Sequence, residues 1–501
     1  MTMSSNRRWV LLATVSAGLL LIALDNSILY TALPTLVTDL GASSSQSLWI
    51  INAYPVVMAG LLLGAGTLGD RVGHRKMFLI GLVIFGLASI LAAFSPTPEV
   101  LIAARAILAV GAAAMMPATL ALIRITFEDE RERNVAVAIW GTIAVVGGAL
   151  GPIVSGLLLL SFPWGAVFLI NVPVVILAVI ATMILAPKND PDRSKSWDLI
   201  SSVFALVTLV GLVIAIKEVA RQPSPLVIIA VVASVAGGWA FVHRQGRLEH
   251  PLLDFKIFRN PAFTAGVFAA GVAMFAVAGI QLITTQRFQL IEGFTPLEAG
   301  LLVAAVAAGT LPTAILGGSI LWKVGLLPLI AGGFALSVPG AVLVLFNFDS
   351  NFGMLIAGLV LTGAGLGAAM SVASTAIIGN VPVSRAGMAS SVEEVSYEFG
   401  GLTAVAVLGS MLSAIYTATI NVPAGIPGTA AESLDSALAL AHDRGEAGSE
   451  LFSAASQAFD GAYFTVMIVI VAVLAVGAIL TGFLLRHNGP ATAQTDAVVS
   501  H

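Results

Sequence analysis

The 501 residues include no cysteine, which excludes disulfides, cysteine-held iron–sulfur clusters and thiolate zinc sites. Charge is also scarce. Asp, Glu, Lys and Arg make up 10% of the chain, against about 25% in an ordinary soluble domain. Six histidines are present (His74, His243, His250, His442, His487 and His501), each in a loop or at the end of an apolar block. None is placed at membrane depth to hold a metal or pass a proton, so any relay must use carboxylates. No H-E-x-x-H occurs, which leaves a membrane-embedded enzyme as a remote alternative without its residues. No G-x-x-x-x-G-K-(S/T) loop for ATP occurs either, and a net charge of −4 gives no nucleic-acid signature.

What the chain has in abundance is apolar surface. It is 58% hydrophobic with a mean hydropathy of +0.99, the composition of an all-α integral membrane protein. Hydrophobic blocks long enough to span a bilayer fall near 9–34, 48–68, 77–95, 100–124, 135–160, 164–186, 198–216 and 225–242. They continue near 263–286, 297–321, 325–346, 354–378, 388–416 and 461–485, giving fourteen spans. The first block follows Arg7-Arg8 as a signal peptide would, but it runs past Asp25 to about Leu33 and is long enough to span. With the N-terminus inside, 18 basic residues fall on the cytoplasmic side and four (Lys217, Arg221, Arg287, Arg444) outside, with Arg105 left within a helix. Cytoplasmic termini are therefore expected.

Against this background, 391–398 stands out. Ser391-Val392-Glu393-Glu394-Val395-Ser396-Tyr397-Glu398 places three acids in six residues of a membrane span. Each ionised acid at mid-bilayer costs about 2.5–3.5 kcal/mol on insertion scales, so proton, ion or substrate traffic is the expected reason for it. Glu394 and Glu398 are four apart and share a face, while Glu393 is rotated by about 100°. Two close carboxylates rarely stay ionised together. Asp25 in span 1 and Arg105 in span 4 both lie in the outer halves of their helices and can couple. Tyr30, Tyr54, Trp140 and Tyr397 are candidates for cation–π contacts, though ordinary packing explains such residues more often. The outer loop at 421–460 is expected to form a helical hairpin from short amphipathic patterns at 430–441 and 446–459. It carries Glu432, Asp435, Asp443, Glu446, Glu450 and Asp460 against Arg444, either a solvated surface or an acidic lid.

Three motifs give these residues a context. Between spans 2 and 3, Gly66-Thr67-Leu68-Gly69-Asp70-Arg71-Val72-Gly73-His74-Arg75-Lys76 resembles the signature loop of the major facilitator superfamily. Span 5 carries Gly147-Gly148-Ala149-Leu150-Gly151-Pro152-Ile153-Val154-Ser155-Gly156, similar to that superfamily's antiporter motif, with Ser155 in place of one glycine. Span 1 reads Leu24-Asp25-Asn26-Ser27-Ile28-Leu29-Tyr30-Thr31-Ala32-Leu33-Pro34, which resembles the L-D-x-(S/T)-I-(V/L)-x-x-A-L-P signature of the fourteen-helix drug:proton antiporters. The closest likeness is to the quaternary-ammonium and dye exporters of the QacA, SmvA and LfrA type.

The resemblance implies a major facilitator fold of fourteen helices arranged 6+2+6. Its units would be an N-terminal bundle at 1–190, a two-helix insert at 191–259 and a C-terminal bundle at 260–501. It implies proton-coupled export of lipophilic, mainly monovalent cations from a bacterial-type inner membrane, with no cofactor beyond the proton gradient. A monomer in the lipid bilayer is expected, with protons and drugs as its only other partners. Asp25, Arg105, Glu394 and Glu398 would couple protons, and Glu393, Glu394, Glu398 and the four aromatic residues would meet substrate. Gly69, Asp70, Arg71, Gly73, Arg75, Gly147, Gly151 and Pro152 would serve conformational change. Relatives that export dications carry further acids where this chain has Asn52 and Thr310, so dications are expected to fit less well. Export of an endogenous lipid or metabolite is the alternative.

Overall fold

The computed structural model describes residues 5–127, 129–187, 191, 198–221, 225–248, 251–381, 386–441 and 445–487. Lys188, Arg193, Lys195, Arg385 and Arg444, which enter the charge count, lie outside these residues. So do His250, His442, Asp443 and His501, and residue 190, where the first unit was expected to end.

The N-terminal half runs α1 (Ser5–Leu40), α2 (Ser44–Val72), α3 (His74–Ala93), α4 (Pro98–Thr126) and α5 (Glu130–Leu159). The short α6 (Ala166–Leu169) and α7 (Asn171–Leu185) then make one further span. Two helices follow, α8 (Leu199–Arg221) and α9 (Pro225–Gln245). The second half comprises α10 (Pro261–Leu290), α11 (Pro296–Val324), α12 (Leu326–Asn347), α13 (Phe352–Ile378), α14 (Ala386–Thr419), the short α15 (Leu434–Ala441) and α16 (Gly445–Leu485). Thirteen spans among the described residues are long and apolar enough to cross a membrane, and α5 is the fourteenth, its apolar core at Val146–Leu159. The chain is thus an all-α membrane protein of fourteen spans, six on either side of the α8–α9 pair. The end of the molecule that carries the chain termini and the end that carries α15 are called here the termini end and the hairpin end.

Local chemistry explains where the helices start. Ser43 with Gln46 and Thr295 with Glu298 form capping boxes at α2 and α11, satisfying free N–H groups at both ends of the box. Thr97 and Asn260 cap α4 and α10 immediately before a proline at the first helical position. Two sharp breaks match each other. Gly73, at φ 101°, ends α2 and opens α3; Gly325, at φ 81°, does the same between α11 and α12. Both conformations favour glycine, and they occupy corresponding positions in the two bundles.

Within the first bundle α3 packs on α4, α1 on α5 and α2 on α4; within the second, α12 and α11 pack on α13 and α10 on α14. The bundles meet along α2–α14 and α5–α11, and α8 lies across α2 and α14. Lys217 pins α8 there, its ammonium donating to the Ser45 carbonyl at 2.8 Å and sitting 4.9 Å from the Trp49 ring centre. Outward faces are greasy, as lipid contact requires, with Leu87, Ile180, Ile228, Trp239 and Ile479 all exposed.

The hairpin end is closed between the bundles. The Thr285 hydroxyl donates to the Tyr30 carbonyl at 3.1 Å, the Gln289 amide to the Thr31 carbonyl at 2.9 Å, and the Ser44 hydroxyl to the Glu432 carbonyl at 3.3 Å. Gly156 faces the Leu297 backbone and Gly300 the Pro152 carbonyl, approaches that leave no room for a side chain.

The hairpin differs from the sequence expectation. A 3-10 turn (Gly428–Ala431) and α15 form its first arm, but the second arm is not a separate helix. It is the first part of α16, which runs unbroken for 41 residues. Asp460, which reads as a solvated loop acid, is held inside that helix by Arg287, so the chain has no reason to break there. Arg287 in turn was expected in an outer loop. It lies within α10 and is 1% exposed, its guanidinium also bonded to Glu292 and to the Phe348 carbonyl.

Candidate functional site

The site starts from a buried ion pair. Asp25 of α1 and Arg105 of α4, 1% and 0% exposed, bond directly to each other. The second Asp25 oxygen accepts from the Asn171 side-chain amide at 3.2 Å, and the same amide nitrogen donates to the Ser89 hydroxyl at 3.2 Å. Arg105 also donates through Nε to the Ile50 carbonyl at 3.3 Å and lies 4.6 Å from the centre of the Tyr54 ring. One charge is thereby shared among α1, α2, α3, α4 and α7. The set is not fully satisfied: Arg105 Nη2, Tyr54 Oη and Asn171 Oδ1 are buried without a partner, and elsewhere on α2 so are both amide atoms of Asn52. Unmade hydrogen bonds at a buried site cost about 1–3 kcal/mol each, the kind of strain a working site carries.

The glycine face of α5 backs directly onto this pair. Gly147 meets Ala23, where an added Cβ would come within 2.7 Å of the alanine methyl, and an added Cβ at Gly151 would overlap the Ser27 side chain. The Ser27 hydroxyl lies 3.4 Å from the Gly147 carbonyl. Asp25 sits on the helix segment between those two contacts. Further along α5, Pro152 and Gly156 face α11 of the other bundle. The antiporter-like motif therefore touches the acid's helix and the opposing bundle in turn.

The three acids of α14 take different surroundings. Glu393 is 8% exposed and hydrogen-bonded to Ser374 of α13, within its own bundle. Glu394 and Glu398 are half-buried and within electrostatic reach of each other. Glu398 also feels Arg105 across the bundle interface, and one of its oxygens is buried without a partner. Tyr54 lies within reach of Asp25, Arg105 and Glu398 together, and Tyr30 within reach of Arg105 and Glu398. Tyr397 stands beside Glu393 and Glu394. Trp140 is held elsewhere, its indole N–H donating to the Thr119 hydroxyl of α4 at 3.0 Å.

The loop motif is built as a latch at the termini end. Asp70 accepts from His74 Nε2 at 3.1 Å across the Gly73 break. A side chain at Gly69 would crowd the same imidazole, at 3.1 Å. Arg75 donates to the Met183 carbonyl at 2.6 Å, and Arg7 to the neighbouring Ile184 carbonyl, two cations at the C-terminus of α7 where its dipole favours them. Arg71 is exposed. His74 was missed as a site residue because a histidine between an aspartate and an arginine in a turn reads as solvated. The i, i+4 spacing from Asp70 was the signal available. Ser89, a lone serine in an apolar helix, gave none.

Comparison with known proteins gives these residues a setting. The Major Facilitator Superfamily model matches residues 15–290, and a Sugar (and other) transporter model matches 260–427. The multidrug efflux pump LfrA of Mycolicibacterium smegmatis is 36% identical over 96% of this chain and 97% of its own. The methyl viologen resistance protein SmvA of Salmonella typhimurium is 34% identical over 84% of this chain and 86% of its own. The multidrug resistance protein Stp of Mycobacterium tuberculosis is 30% identical over 84% and 78%. In fold, the chain is similar to the crystal structure of a bacterial homologue of the human lysosomal transporter Spinster, inward-facing and unoccupied. That likeness has a TM-score of 0.66 at 17% identity and covers 97% of this chain and 99% of the other.

Proposed function

The chain belongs to the Major Facilitator Superfamily, a transporter and not an enzyme, and from that premise we propose that it exports lipophilic, mainly monovalent cations in exchange for protons. The observation that carries the reading is the placement of two acidic centres on opposite bundles. Asp25 is neutralised by Arg105 in the first, while Glu394 and Glu398 in the second are half-buried and share an interior face. A proton or a cationic drug can neutralise the second centre, and electrostatics disfavours both at once. Moving one proton inward supplies about 2.3 kcal/mol per 100 mV.

Glu398 is the coupling point, because it feels Arg105 across the interface. When the bundles rock, that distance changes, and with it the preference of Glu398 for a proton. The glycine face of α5 and the Asp70–His74 latch permit and limit the rocking. In this reading the termini face the cytoplasm of a bacterial-type inner membrane, the monomer is the working unit, and the domain units are 1–190, 191–259 and 260–501. Names of the relatives, among them multidrug efflux pumps, support drug export over a lipid or metabolite cargo.

Dye uptake into inverted vesicles, which is the export direction in the cell, under an imposed pH gradient tests this directly. Wild type should follow the gradient, and Asp25→Asn, Glu394→Gln and Glu398→Gln should each reduce gradient-driven uptake at least tenfold. Transport indifferent to the gradient, or surviving all three changes, would sink the proposal.

A further inference from the structure

Behind the acid-bearing face of α14 lies a cavity that the transport reading does not use. It has a volume of about 430 Å³ and is bounded by α10, α14, α16 and the 251–260 segment, with Leu63 of α2 closing it from the other bundle. Val392, Val395, Ser396, Phe399 and Thr403 line it from α14, and Phe268, Gly271 and Phe275 from α10. At about 100° per residue, the α14 lining residues point roughly opposite to Glu394 and Glu398. The lining is almost entirely apolar, and Phe268 and Phe399 at its mouth are 46% and 41% exposed on the lipid-facing surface. All of these α10 and α14 residues but Thr403, at mid-helix, belong to the termini-end halves of their helices.

The floor of the cavity is a 3-10 turn, Phe255–Arg259, which contributes Phe258, with Leu253 just before it. Two cations flank Phe258 on this turn. Lys256 and Arg259 are both exposed, and neither makes an ion pair among the described residues. The nearby Asp254 carboxylate is turned into the chain, accepting from the Lys256 backbone N–H at 3.0 Å. An apolar cavity with exposed cations on the turn that forms its floor is complementary to one kind of molecule.

We propose that this cavity is a binding site for an anionic phospholipid of the leaflet on the termini side, with an acyl chain between α10 and α14 and the phosphate at Lys256 and Arg259. A cationic drug is the wrong occupant: no carboxylate lines the cavity, and the cations of the floor turn repel it. Each α14 acid adjoins a lining residue in sequence, but Glu393 is committed to Ser374 on α13, and Glu394 and Glu398 lie on the opposite face of the helix. A bound tail would stand behind the helix that carries Glu394 and Glu398, independent of what those acids bind.

The test uses the full chain, delipidated in detergent and offered phosphatidylglycerol or phosphatidylcholine, with retained lipid counted by native mass spectrometry. One phosphatidylglycerol should be retained in preference to phosphatidylcholine by about tenfold or more, as two surface cations provide. The Lys256→Gln/Arg259→Gln double variant, which alters only exposed side chains, should lose that preference. Gly271→Leu fills the cavity; an added Cβ there meets only the Ser396 carbonyl, at an ordinary 3.5 Å. It should lower retention of both lipids. Equal retention of the two lipids by wild type, an unchanged preference in the double variant, or full retention in Gly271→Leu would each overturn the proposal.

Discussion

Arg105 has no exposed surface and meets a carboxylate, a backbone carbonyl and an aromatic ring at once. Removing it leaves Asp25 buried and unpaired, a loss of about 3–5 kcal/mol. Arg105→Ala is therefore expected to lower the detergent-state melting temperature well below that of Asp25→Asn, and the double variant should recover part of the difference. Asn52 of α2, whose buried amide finds no partner, stands where the resemblance puts a further acid in exporters of dications. Asn52→Asp should raise resistance to a dicationic biguanide relative to a monovalent quaternary ammonium. Wild-type resistance equal for the two would count against a monovalent preference. Asp435 provides the pH-sensitive case outside the membrane. Burial at the mouth of a small cavity, beside Tyr416 and Leu434, raises its carboxyl to about 6. With the folded value above the ordinary 3.8, the stabilisation is complete below about pH 4 and lost as pH rises through 6. The swing is at most about 3 kcal/mol. The protection factors of the α15 amides, with the intrinsic rise of exchange with pH divided out, should fall across that window in wild type and stay flat in Asp435→Asn.

Among the elements, α5 gives the sharpest contrast, because its glycines are not equivalent. An added Cβ at Gly148 meets nothing within 4 Å, whereas at Gly151 it collides with Ser27. Gly148→Ala should be neutral or slightly stabilising, helix propensity favouring alanine by about 1 kcal/mol. Gly151→Val should separate α5 from α1 and abolish dye uptake, measured on the same vesicles. The glycine pattern, the fourteen apolar blocks and the Asp25–Arg105 pairing were all legible in the sequence, because each rests on residue types that have few other uses in lipid. Other features were not legible. Arg287 was assigned to a loop because hydropathy ends a span at the first charge, and only the fold reveals Asp460, Glu292 and two phenylalanine rings waiting for it. The role of Asn171 depends on α7 returning beside α1, a long-range contact that local spacing does not encode.

On the scale of the whole molecule, the two bundles are joined at the hairpin end by Thr285, Gln289 and Ser44 and by the close approach of Gly156 to Leu297. A side chain at Gly156 would overlap the Leu297 backbone, an added Cβ falling 2.3 Å from its Cα. Gly156→Ala should therefore force this joint apart and lower dye transport in the vesicle assay, whereas Gly148→Ala should not. The unbroken α16 has a consequence of its own. Its 41 residues extend about 62 Å at 1.5 Å per residue, twice the hydrocarbon thickness of a bilayer at about 30 Å. The part beyond the membrane is rigidly continuous with the part inside it. The Arg287–Asp460 bond lies between the two, so it acts as a fulcrum. A tilt of the embedded segment, too small to notice in the core, becomes a sweep of the projecting arm over the mouth of the transporter.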